Sequence, residues 1–366
     1  MPIPPLAGYT VAVTADRRRN EQVELLRRRG ADVLEGPTIR TEPLADDDAL
    51  RGAVEAIVAE PPEFTVFLTG VGVRSLLAAA ESLGLGDELL DALAGSDVYT
   101  RGPKATGAAV TAGLDVCWRT TDERSTEILA ALSEPARRGA RIAVQRDGDS
   151  RPRLAHDLGA LGADAVDMPA YRWSMPEDTQ PAMRLIDAVC AGSVDAVTFT
   201  SSPSIRHLSE LAVSAGCEQD LLVALNGPVL PVCVGPVAAE TAEAVGIHAA
   251  VAPDRARLGA MVLLLAATLS DRARTLVLRG TPVILQGSLA VIGEEEVRLT
   301  ERERAVLHVL AGAGGAVVAK RALLHQVWGG AADEHAVEVT VGRLRRRLGD
   351  AGDAVQTIPR RGYRLA

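Results

Sequence analysis

The sequence predicts an α/β chain made of two unlike parts: a long parallel α/β region, followed by a small domain of three helices and a β-hairpin. Three observations support this prediction. Short apolar runs alternate with helical patterns over roughly the first 270 residues, which is typical of parallel sheets covered by helices. This alternation repeats once along the region. The C-terminal segment instead carries a helix-capping signal, an arginine-rich helix and a basic hairpin.

Eight short apolar runs are the candidate strands of the parallel region. Each is followed by a helical pattern, so the strands are expected to lie parallel, with crossover helices between them. The predicted strands are residues 10–14, 31–34, 65–69, 97–100, 141–145, 165–168, 196–200 and 232–235.

An internal repeat divides this region into two similar halves. Residues 64–74 resemble residues 196–206, and residues 102–114 resemble residues 235–247. Because each pair consists of a strand end and the helix that follows it, the repeat predicts two similar lobes.

The first helix of the C-terminal domain opens within residues 297–303. Thr300 lies three residues before Glu303, a capping box in which each side chain satisfies an orphan amide at the other position. Apolar residues at 305, 306, 309 and 310 then form one helical face. A second helix closes at Gly329, and a hairpin follows at 356–365.

The third helix, residues 337–348, carries four arginines. Its apolar residues fall within about 60° of one another at about 100° per residue, so the arginines fan around the other side. The apolar residues are Val337, Val341, Leu344 and Leu348, and the arginines are Arg343, Arg345, Arg346 and Arg347. A guanidinium binds phosphate bidentately and reads guanine in the major groove, which favours DNA as the partner. The alternative is a solvated face that reflects only a lysine-poor composition, but the following hairpin is also basic.

Charge separates the same two parts. Residues 271–366 contain 15 Lys and Arg against 11 Asp and Glu, a net charge of +4, which leaves 24 against 37, or −13, for residues 1–270. The basic part is the predicted polyanion binder. DNA would repel the acidic part, which is therefore expected to sense a ligand, pair protomers or contact other proteins.

Composition argues against membrane, metal and disulfide classes. The longest apolar run, residues 261–267, is far shorter than the roughly 20 residues of a membrane span, and no Lys/Arg-led apolar segment opens the chain, so a cytoplasmic protein is expected. Cys117, Cys190, Cys217 and Cys233 are widely spaced and lack neighbouring histidines. They are predicted to be buried structural thiols, and no metal or cofactor is expected.

From about residue 275 to 366, element order, spacing and side chains resemble the effector domain of the OmpR/PhoB family of transcription regulators, a winged helix-turn-helix domain. The resemblance implies binding to double-stranded promoter DNA, as a homo-oligomer on the DNA. It places Arg343 and Arg345 in the major groove. The remaining implied contacts are His335, Thr340 and Arg346 near phosphates, and Thr357, Arg360, Arg361 and Tyr363 on the wing.

From about residue 6 to 269 the chain resembles uroporphyrinogen-III synthase, the cofactor-free enzyme that closes hydroxymethylbilane with inversion of its last pyrrole. The order of short motifs carries the resemblance: Val11-Ala12-Val13-Thr14, Gly30-Ala31-Asp32-Val33, Thr69-Gly70, Val73-Arg74, Gly102-Pro103-Lys104, Arg146-Asp147-Gly148, Pro169-Ala170-Tyr171-Arg172, Thr200-Ser201-Ser202 and Gly235-Pro236. It implies two flavodoxin-like lobes that flank a cleft and are joined by extended crossings near 39–43 and 170–174. The expected domains are 1–42 with 173–270 as lobe 1, 43–172 as lobe 2, and 271–366 for DNA binding.

The resemblance also implies a binding site for a tetrapyrrole or another polyanionic small ligand. Carboxylates need amide donors at helix N-termini and hydroxyl or cationic groups at strand ends. The matching residues are Thr14, Thr69, Gly70, Gly102, Lys104, Arg146, Ser201, Ser202 and Gly235. Tyr171 matches the family's tyrosine near the crossing and would be the general acid, and an aromatic that packs the hinge is an equal alternative.

Two departures from the synthase pattern favour a sensor over a catalyst. The family typically has threonine three residues after the glycine of each Gly-Pro motif, where this chain has Ala105 and Ala238. Thr106 is the candidate replacement in one lobe. The combined interpretation is a one-component regulator whose synthase-like region binds a ligand, by family analogy in nitrate and nitrite assimilation or tetrapyrrole metabolism. The alternatives are a working synthase with a DNA-binding domain, and a scaffold that dimerises or recruits a second transcription regulator.

Overall fold

The computed structural model describes residues 3–44, 48–148, 153–329 and 332–366. The chain forms two compact units, Arg40–Met175 and the combination of Met1–Ile39 with Pro176–Ala366. We call Arg40–Met175 lobe 2. In the other unit, the part before residue 271 is lobe 1 and the remainder is the C-terminal domain. The predicted limits of lobe 2, residues 43 and 172, each lie three residues inside the observed limits.

Parallel strands form two sheets in the lobes, and antiparallel strands form the rest. In chain order the strands are β1 (Thr10–Val13), β2 (Asp32–Glu35), β3 (Arg40–Pro43), β4 (Phe64–Phe67), β5 (Asp97–Thr100), β6 (Val116–Arg119), β7 (Arg141–Gln145), β8 (Asp164–Met168), β9 (Tyr171–Ser174), β10 (Ala196–Phe199), β11 (Leu230–Cys233), β12 (Arg274–Leu278), β13 (Thr281–Gln286), β14 (Leu289–Ile292), β15 (Glu295–Arg298), β16 (Val355–Ile358) and β17 (Gly362–Leu365).

Helices separate most of these strands. They are α1 (Arg19–Arg27), α2 (Asp48–Ala59), α3 (Gly70–Ser82), α4 (Gly86–Ala94), α5 (Pro103–Thr111), α6 (Ser125–Ala131), α7 (Ser133–Arg137), α8 (Arg153–Leu161), α9 (Gln180–Cys190), α10 (Ser202–Ala215), α11 (Glu218–Leu225), α12 (Pro236–Ala244), α13 (Leu258–Ser270), α14 (Glu301–Gly312), α15 (Lys320–Trp328) and α16 (Glu334–Arg347), with a 3-10 turn at Gly349–Ala354.

The two lobes share one sheet arrangement. Lobe 1 has the parallel order β11-β10-β1-β2, and a further parallel bridge joins Val251 to Val232 at the β11 edge. Lobe 2 has the order β6-β5-β4-β7-β8, also parallel. Strand β4 therefore corresponds to β10, and β7 corresponds to β1. The two sheets share one spatial order of strands, but a different strand comes first along the chain in each lobe. This confirms the prediction of two parallel α/β lobes.

Two strands of the lobes differ from the prediction: the start of one is shifted and the other was missed. Strand β11 begins at Leu230, two residues before the predicted start, because Pro231 inside it made the segment look unlike a strand; at the edge of the four-stranded sheet a proline is tolerated. Strand β6 was not predicted. It is an edge strand with alternately exposed residues, and Cys117 on it is exposed, so the expectation that this thiol is buried was wrong. Cys233 is buried, which raises the pKa of its thiol to about 12.

The segments predicted as extended crossings pair with each other. Strands β3 and β9 form a two-stranded antiparallel ribbon within lobe 2, with Thr41 opposite Trp173. The Glu42 carboxylate accepts hydrogen bonds from Arg172 Nε and Ser174 Oγ, each at 2.8 Å. These bonds hold the pKa of Glu42 below its usual value, the contact with Arg172 being the largest cause.

The C-terminal domain is a winged helix preceded by a sheet that the sequence patterns did not predict. Strands β12 to β15 form a four-stranded antiparallel sheet, and β16 pairs with β17 as the wing. Val297 and Arg298, predicted to open the first helix, lie in β15. Helix α14 begins at Glu301 because Thr300 and Glu303 form the predicted capping box. No helix in the described ranges is long and apolar enough to cross a bilayer.

Candidate DNA-binding surface and ligand-binding residues

Helix α16 presents one apolar and one basic side. Asp333 caps it by accepting a hydrogen bond from the Ala336 amide at 3.0 Å, and Val337, Val341 and Leu344 are buried against α14 and α15. The other side exposes Arg343 and Arg346, and His335 is also exposed near the start of the helix. Thr340 is half-buried, and its hydroxyl donates to the Ala336 carbonyl at 2.8 Å.

Two of the predicted DNA contacts are used inside the domain. Arg345 Nε donates to the Val355 carbonyl at 2.7 Å, its Nη2 donates to Thr357 Oγ1 at 2.8 Å, and its guanidinium lies 5.9 Å from the Tyr363 ring centroid. Tyr363 is buried, and the pKa of its hydroxyl is raised mainly by that burial. Both side chains fasten the wing to α16, and their predicted contacts with DNA stay predictions.

Arg347 and Glu303 were missed as a pair. Glu303 is 1% exposed; one of its oxygens accepts from the Thr300 amide at 2.8 Å and lies 3.0 Å from Arg347 Nε. Arg347 Nη1 also donates to the Arg298 carbonyl at 2.9 Å. The capping box was visible in the sequence, but Arg347, which also contacts Glu303, lies on α16, a helix more than thirty residues later. The recognition helix is thus fastened to the N-terminus of α14.

The wing carries further basic groups. Thr357, Arg360 and Arg361 are exposed, and Arg360 sits in the tight turn with a positive φ of 59°. Gly362 follows it at a place where a Cβ would overlap the Val318 carbonyl, so only glycine fits. This turn projects two guanidinium groups away from the core of the domain.

A basic groove runs beside α16. Its volume is about 600 Å³, and it is lined by Thr300, Arg302, Glu303, Trp328, Asp333, His335, Ala336, Val339, Thr340, Arg343 and Arg347. Arg302 stacks over the Trp328 ring at 5.8 Å and donates to the Val327 carbonyl. Three guanidinium groups against two carboxylates make this groove suited to phosphate oxygens.

The predicted ligand residues of lobe 1 lie at the carboxyl ends of its strands. Ser201 caps α10 by accepting from the Ser204 amide at 3.4 Å, and Ser202 accepts from Thr241 Oγ1 at 2.7 Å, which ties the start of α10 to the second turn of α12. Gly235 caps α12. Thr14 is fully buried and donates to the Thr198 carbonyl at 2.8 Å, so its hydroxyl is not free for a ligand, contrary to the prediction.

In lobe 2 the corresponding turn, between β4 and α3, is bound by a side chain of the same lobe. The fully buried Gln145 side chain accepts from the backbone amides of Leu68 and Thr69, at 3.2 and 3.0 Å. A Cβ on Gly72 would overlap this side chain. The amides of Leu68 and Thr69, in the turn between β4 and α3, thus already bind the oxygen of Gln145. A polar residue at the end of a buried strand was the available signal, and it was missed.

Two arginines of lobe 2 are neutralised by carboxylates. Arg146 forms an ion pair with Asp167, and Arg101 forms one with Asp147 at 2.8 Å. Lys104 is exposed beside Gly102, at the start of α5, without a hydrogen bond or ion pair among the described residues. Of the predicted basic ligands in this lobe, Lys104 is thus the one that keeps its charge available.

Tyr171 is placed as a packing residue. It is 2% exposed, and its hydroxyl donates to the Asp147 carbonyl at 2.6 Å and lies 3.2 Å from Thr69 Oγ1. Its ring packs edge-on against Trp173, and a Cβ on Gly148 would come within 2.5 Å of it. This geometry favours the hinge-packing alternative over the general acid.

The two alanines at the departures from the synthase pattern are buried. Ala105 is 1% exposed and Ala238 is 4% exposed, each in the first turn of its helix. Thr106 hydrogen-bonds to Thr100 Oγ1 at 2.7 Å and to the Gly102 carbonyl at 3.1 Å, so it does not replace the missing hydroxyl.

Comparison with known proteins matches both parts of the chain. The family model "Uroporphyrinogen-III synthase HemD" matches residues 20–263, and "Transcriptional regulatory protein, C terminal" matches residues 293–365. A putative uroporphyrinogen-III synthase of Methanothermobacter thermautotrophicus is 30% identical over 262 residues, covering 71% of this chain and 99% of that protein. A mutant uroporphyrinogen III synthase from Thermus thermophilus superimposes with a TM-score of 0.59 at 28% identity, over 72% of this chain and 99% of that one.

The C-terminal domain has relatives of its own. The transcriptional regulatory protein CutR of Streptomyces coelicolor is 42% identical over 73 residues, 19% of this chain and 33% of that protein. The KDP operon regulator KdpE of Escherichia coli is 47% identical over 58 residues, 15% of this chain and 26% of that protein. The chain belongs to the uroporphyrinogen-III synthase HemD family and carries a C-terminal DNA-binding domain of the OmpR/PhoB type.

Proposed function

We propose that the chain is a transcription regulator that binds promoter DNA through α16 and the wing, and whose HemD-like lobes bind a ligand without efficient turnover. The DNA-binding part of this proposal rests on Arg343. Its side chain is exposed on α16 at the basic groove and has no hydrogen bond or ion pair in the described ranges. A guanidinium in this position is available for base edges, whereas Arg345 is held by the wing.

The non-catalytic part of the proposal rests on lobe 2. Gln145 occupies the amides of Leu68 and Thr69 just before α3, Asp147 and Asp167 form ion pairs with two arginines, and Ala105 lacks a hydroxyl. Each lost charged hydrogen bond costs about 1.5 to 3 kcal/mol, so several losses lower transition-state binding by orders of magnitude. In lobe 1 the first residue of α10, Ser202, contacts α12 through Thr241, and no side chain comparable to Gln145 is bound at the turn before α10 among the described residues. We place the anionic groups of a tetrapyrrole or another polyanionic ligand there.

The controlled pathway follows from the chemistry of that ligand. A regulator that senses a tetrapyrrole precursor suits genes of tetrapyrrole metabolism, or of nitrate and nitrite assimilation, whose nitrite reductase uses a tetrapyrrole cofactor. The second candidate is a working synthase with an attached DNA-binding domain, which the family membership over residues 20–263 favours.

One experiment separates the two candidates. Full-length protein is incubated with hydroxymethylbilane, the isomers of the product are analysed, and the same preparation is tested for protection of its own promoter DNA. We expect specific protection together with no enrichment of the inverted isomer. Efficient formation of the inverted isomer would establish the synthase, and absence of protection at any promoter fragment would reject the regulator.

A further inference from the structure

The C-terminal domain is docked on lobe 1 at the edge of the sheet where the strands begin. Its contact surface consists of the turn between β13 and β14, the end of β15 and the first two turns of α14. Lobe 1 contributes the segment before β1, the start of β2 and the residues just before β10. We call this contact the docking interface.

Its centre is a backbone-to-backbone contact between two glycines. Gly8 and Gly287 both have positive φ angles, of 78° and 57°. The Ser288 amide donates to the Gly8 carbonyl at 2.7 Å, and Gln286 Nε2 donates to the carbonyls of Pro4 and Ala7 at 2.9 Å each. A Cβ on Gly8 would lie 2.6 Å from Leu289 Cβ, and one on Gly287 would overlap the Gly8 carbonyl. Such close fit needs glycine on both sides.

A partly buried ion pair lies beside this contact. Asp195 Oδ1 accepts from Arg304 Nη1 at 2.7 Å, and Oδ2 accepts from the Thr10 amide at 2.8 Å. The two side chains are 14% and 22% exposed. Asp195 therefore joins the start of β1 to α14, and both oxygens of this carboxylate are satisfied, which is the condition under which such pairs stabilise.

The rim of the interface continues to the recognition helix. Arg298 binds Asp32 at the start of β2, at 2.5 Å, and its carbonyl accepts from Arg347 of α16. Ser193 Oγ donates to Glu301 of α14 at 3.2 Å. The other ends of β1 and β10 carry Thr14 and Ser201, so the docking interface and the predicted ligand residues lie at opposite ends of the same short strands.

We propose that the docking interface makes lobe 1 and the C-terminal domain one cooperative unit, in which helix α16 is fixed relative to lobe 1. The domain is not a separate module on a flexible tether. A ligand that shifts β1 or β10 would then move α16, because Asp195, just before β10, binds both the Thr10 amide of β1 and Arg304 of α14. The partner of this surface is the chain's own lobe 1, and the proposal holds whether or not the lobes turn over a substrate.

The test compares two glycine variants in the full-length chain. Gly287→Ala introduces a side chain into the docking interface. Gly293→Ala is the matched control, since Gly293 lies in the next turn of the same sheet with a similar φ of 63°, and no atom lies within 4 Å of the place where its Cβ would be. Both variants carry the same backbone strain, so the difference between them reports the contact with lobe 1 alone.

The measurement is the rate of limited proteolysis in the junction at residues 271–273, together with calorimetric unfolding. We expect at least tenfold faster cleavage for Gly287→Ala than for Gly293→Ala, and a separate transition for the C-terminal domain in Gly287→Ala only. Equal cleavage rates and an unsplit transition in both variants would overturn the proposal.

Two milder single variants test whether a general folding defect, and not loss of the docking interface, causes the faster cleavage. Asp195→Asn and Arg304→Gln should each accelerate the same cleavage, and the double variant should be no faster than the singles, since both remove one interaction. The control Asp353→Asn breaks the exposed pair with Arg279 inside the C-terminal domain and should leave the rate unchanged. Fully additive effects of the Asp195 and Arg304 changes would reject the pair. Cleavage is measured without DNA, so failure of promoter binding leaves this result intact.

Discussion

The arginines of α16 have different tasks, which their partners reveal. Arg343 and Arg346 point to solvent, whereas Arg345 is bound to the wing and Arg347 to Glu303 and the Arg298 carbonyl. Helical periodicity groups all four on one side, but a long side chain can turn back onto its own domain. Substitutions of neighbouring arginines should therefore have separable effects on DNA binding and on stability.

Arg343→Ala is expected to weaken operator binding by about 1 to 3 kcal/mol and to relax base preference, with no loss of stability. The measurement is binding to operator and to random duplex at one fixed salt concentration. Arg279→Ala, which removes the charge of an arginine that does not line the groove, is the control. If Arg343→Ala discriminates the two duplexes as well as the parent does, the helix assignment is wrong.

Arg345→Ala is expected to behave in the opposite way, lowering stability by about 1 to 2 kcal/mol. The change removes hydrogen bonds to Val355 and Thr357 and the stacking over Tyr363. The expected loss of stability is smaller than for a buried group because the Arg345 side chain is partly solvated. Chemical denaturation of the parent and of the Arg343→Ala and Arg345→Ala variants measures this. Equal stability of parent and Arg345→Ala would show that the wing contact contributes nothing.

His308 on α14 should make stability depend on pH. Burial, followed by Arg304 and Arg274, lowers the pKa of this imidazole below its usual value of 6.5, while Asp195 acts against the shift. The unfolded chain therefore binds the proton more readily, so stability is retained above about pH 6.5 and lost as the pH falls from there towards the folded-state pKa. Between pH 7.5 and 5.5 the unfolding midpoint of His308→Gln should fall less than that of the parent. An identical fall in both proteins would contradict the prediction.

Among the elements, α16 contains one residue that weakens it. Gly342 lies in its interior, and no atom lies within 4 Å of the place where its Cβ would be. A glycine in a helix interior costs about 1 kcal/mol relative to alanine because it leaves the unfolded chain more freedom. The same absence of a side chain lets a DNA backbone approach this turn of the helix closely.

Gly342→Ala should accordingly raise the free energy of unfolding by about 1 kcal/mol, measured by chemical denaturation. The structure offers Gly107 of α5 as a control, where a Cβ also meets no atom and Gly107→Ala should stabilise by a similar amount. Unchanged stability of Gly342→Ala would mean that α16 is not formed as described. A loss of operator affinity in Gly342→Ala with normal affinity in Gly107→Ala would indicate close approach of DNA at this turn.

The whole molecule should bind its operator as at least two protomers. One winged helix with a few guanidinium groups supplies too few phosphate and base contacts for tight binding at cellular salt, so a second copy is needed. We expect a footprint longer than two helical turns, and a complex mass of two chains per operator by native mass spectrometry. A one-to-one complex on the native operator would refute this.

The sequence alone determined the fold class and the kind of protein. Periodicity and the internal repeat identified two α/β lobes, and the capping box at Thr300 correctly located the start of α14, because these signals depend on residues close in the chain. Net charge separated the DNA-binding part in the same way. Local patterns fail where a proline such as Pro231 shifts the apparent start of a strand, or where an edge strand such as β6 is only half buried.

Only the tertiary structure decided what the candidate site residues do. Gln145 fills the amides beside Thr69, Tyr171 packs under Gly148, Arg345 holds the wing, and Asp195 meets Arg304 across 109 positions of chain. Each of these contacts joins residues that no helical or strand period relates. Whether a polar side chain is free for a ligand depends on which residues, distant in sequence, contact it in the folded chain. Those contacts are a property of the packed chain.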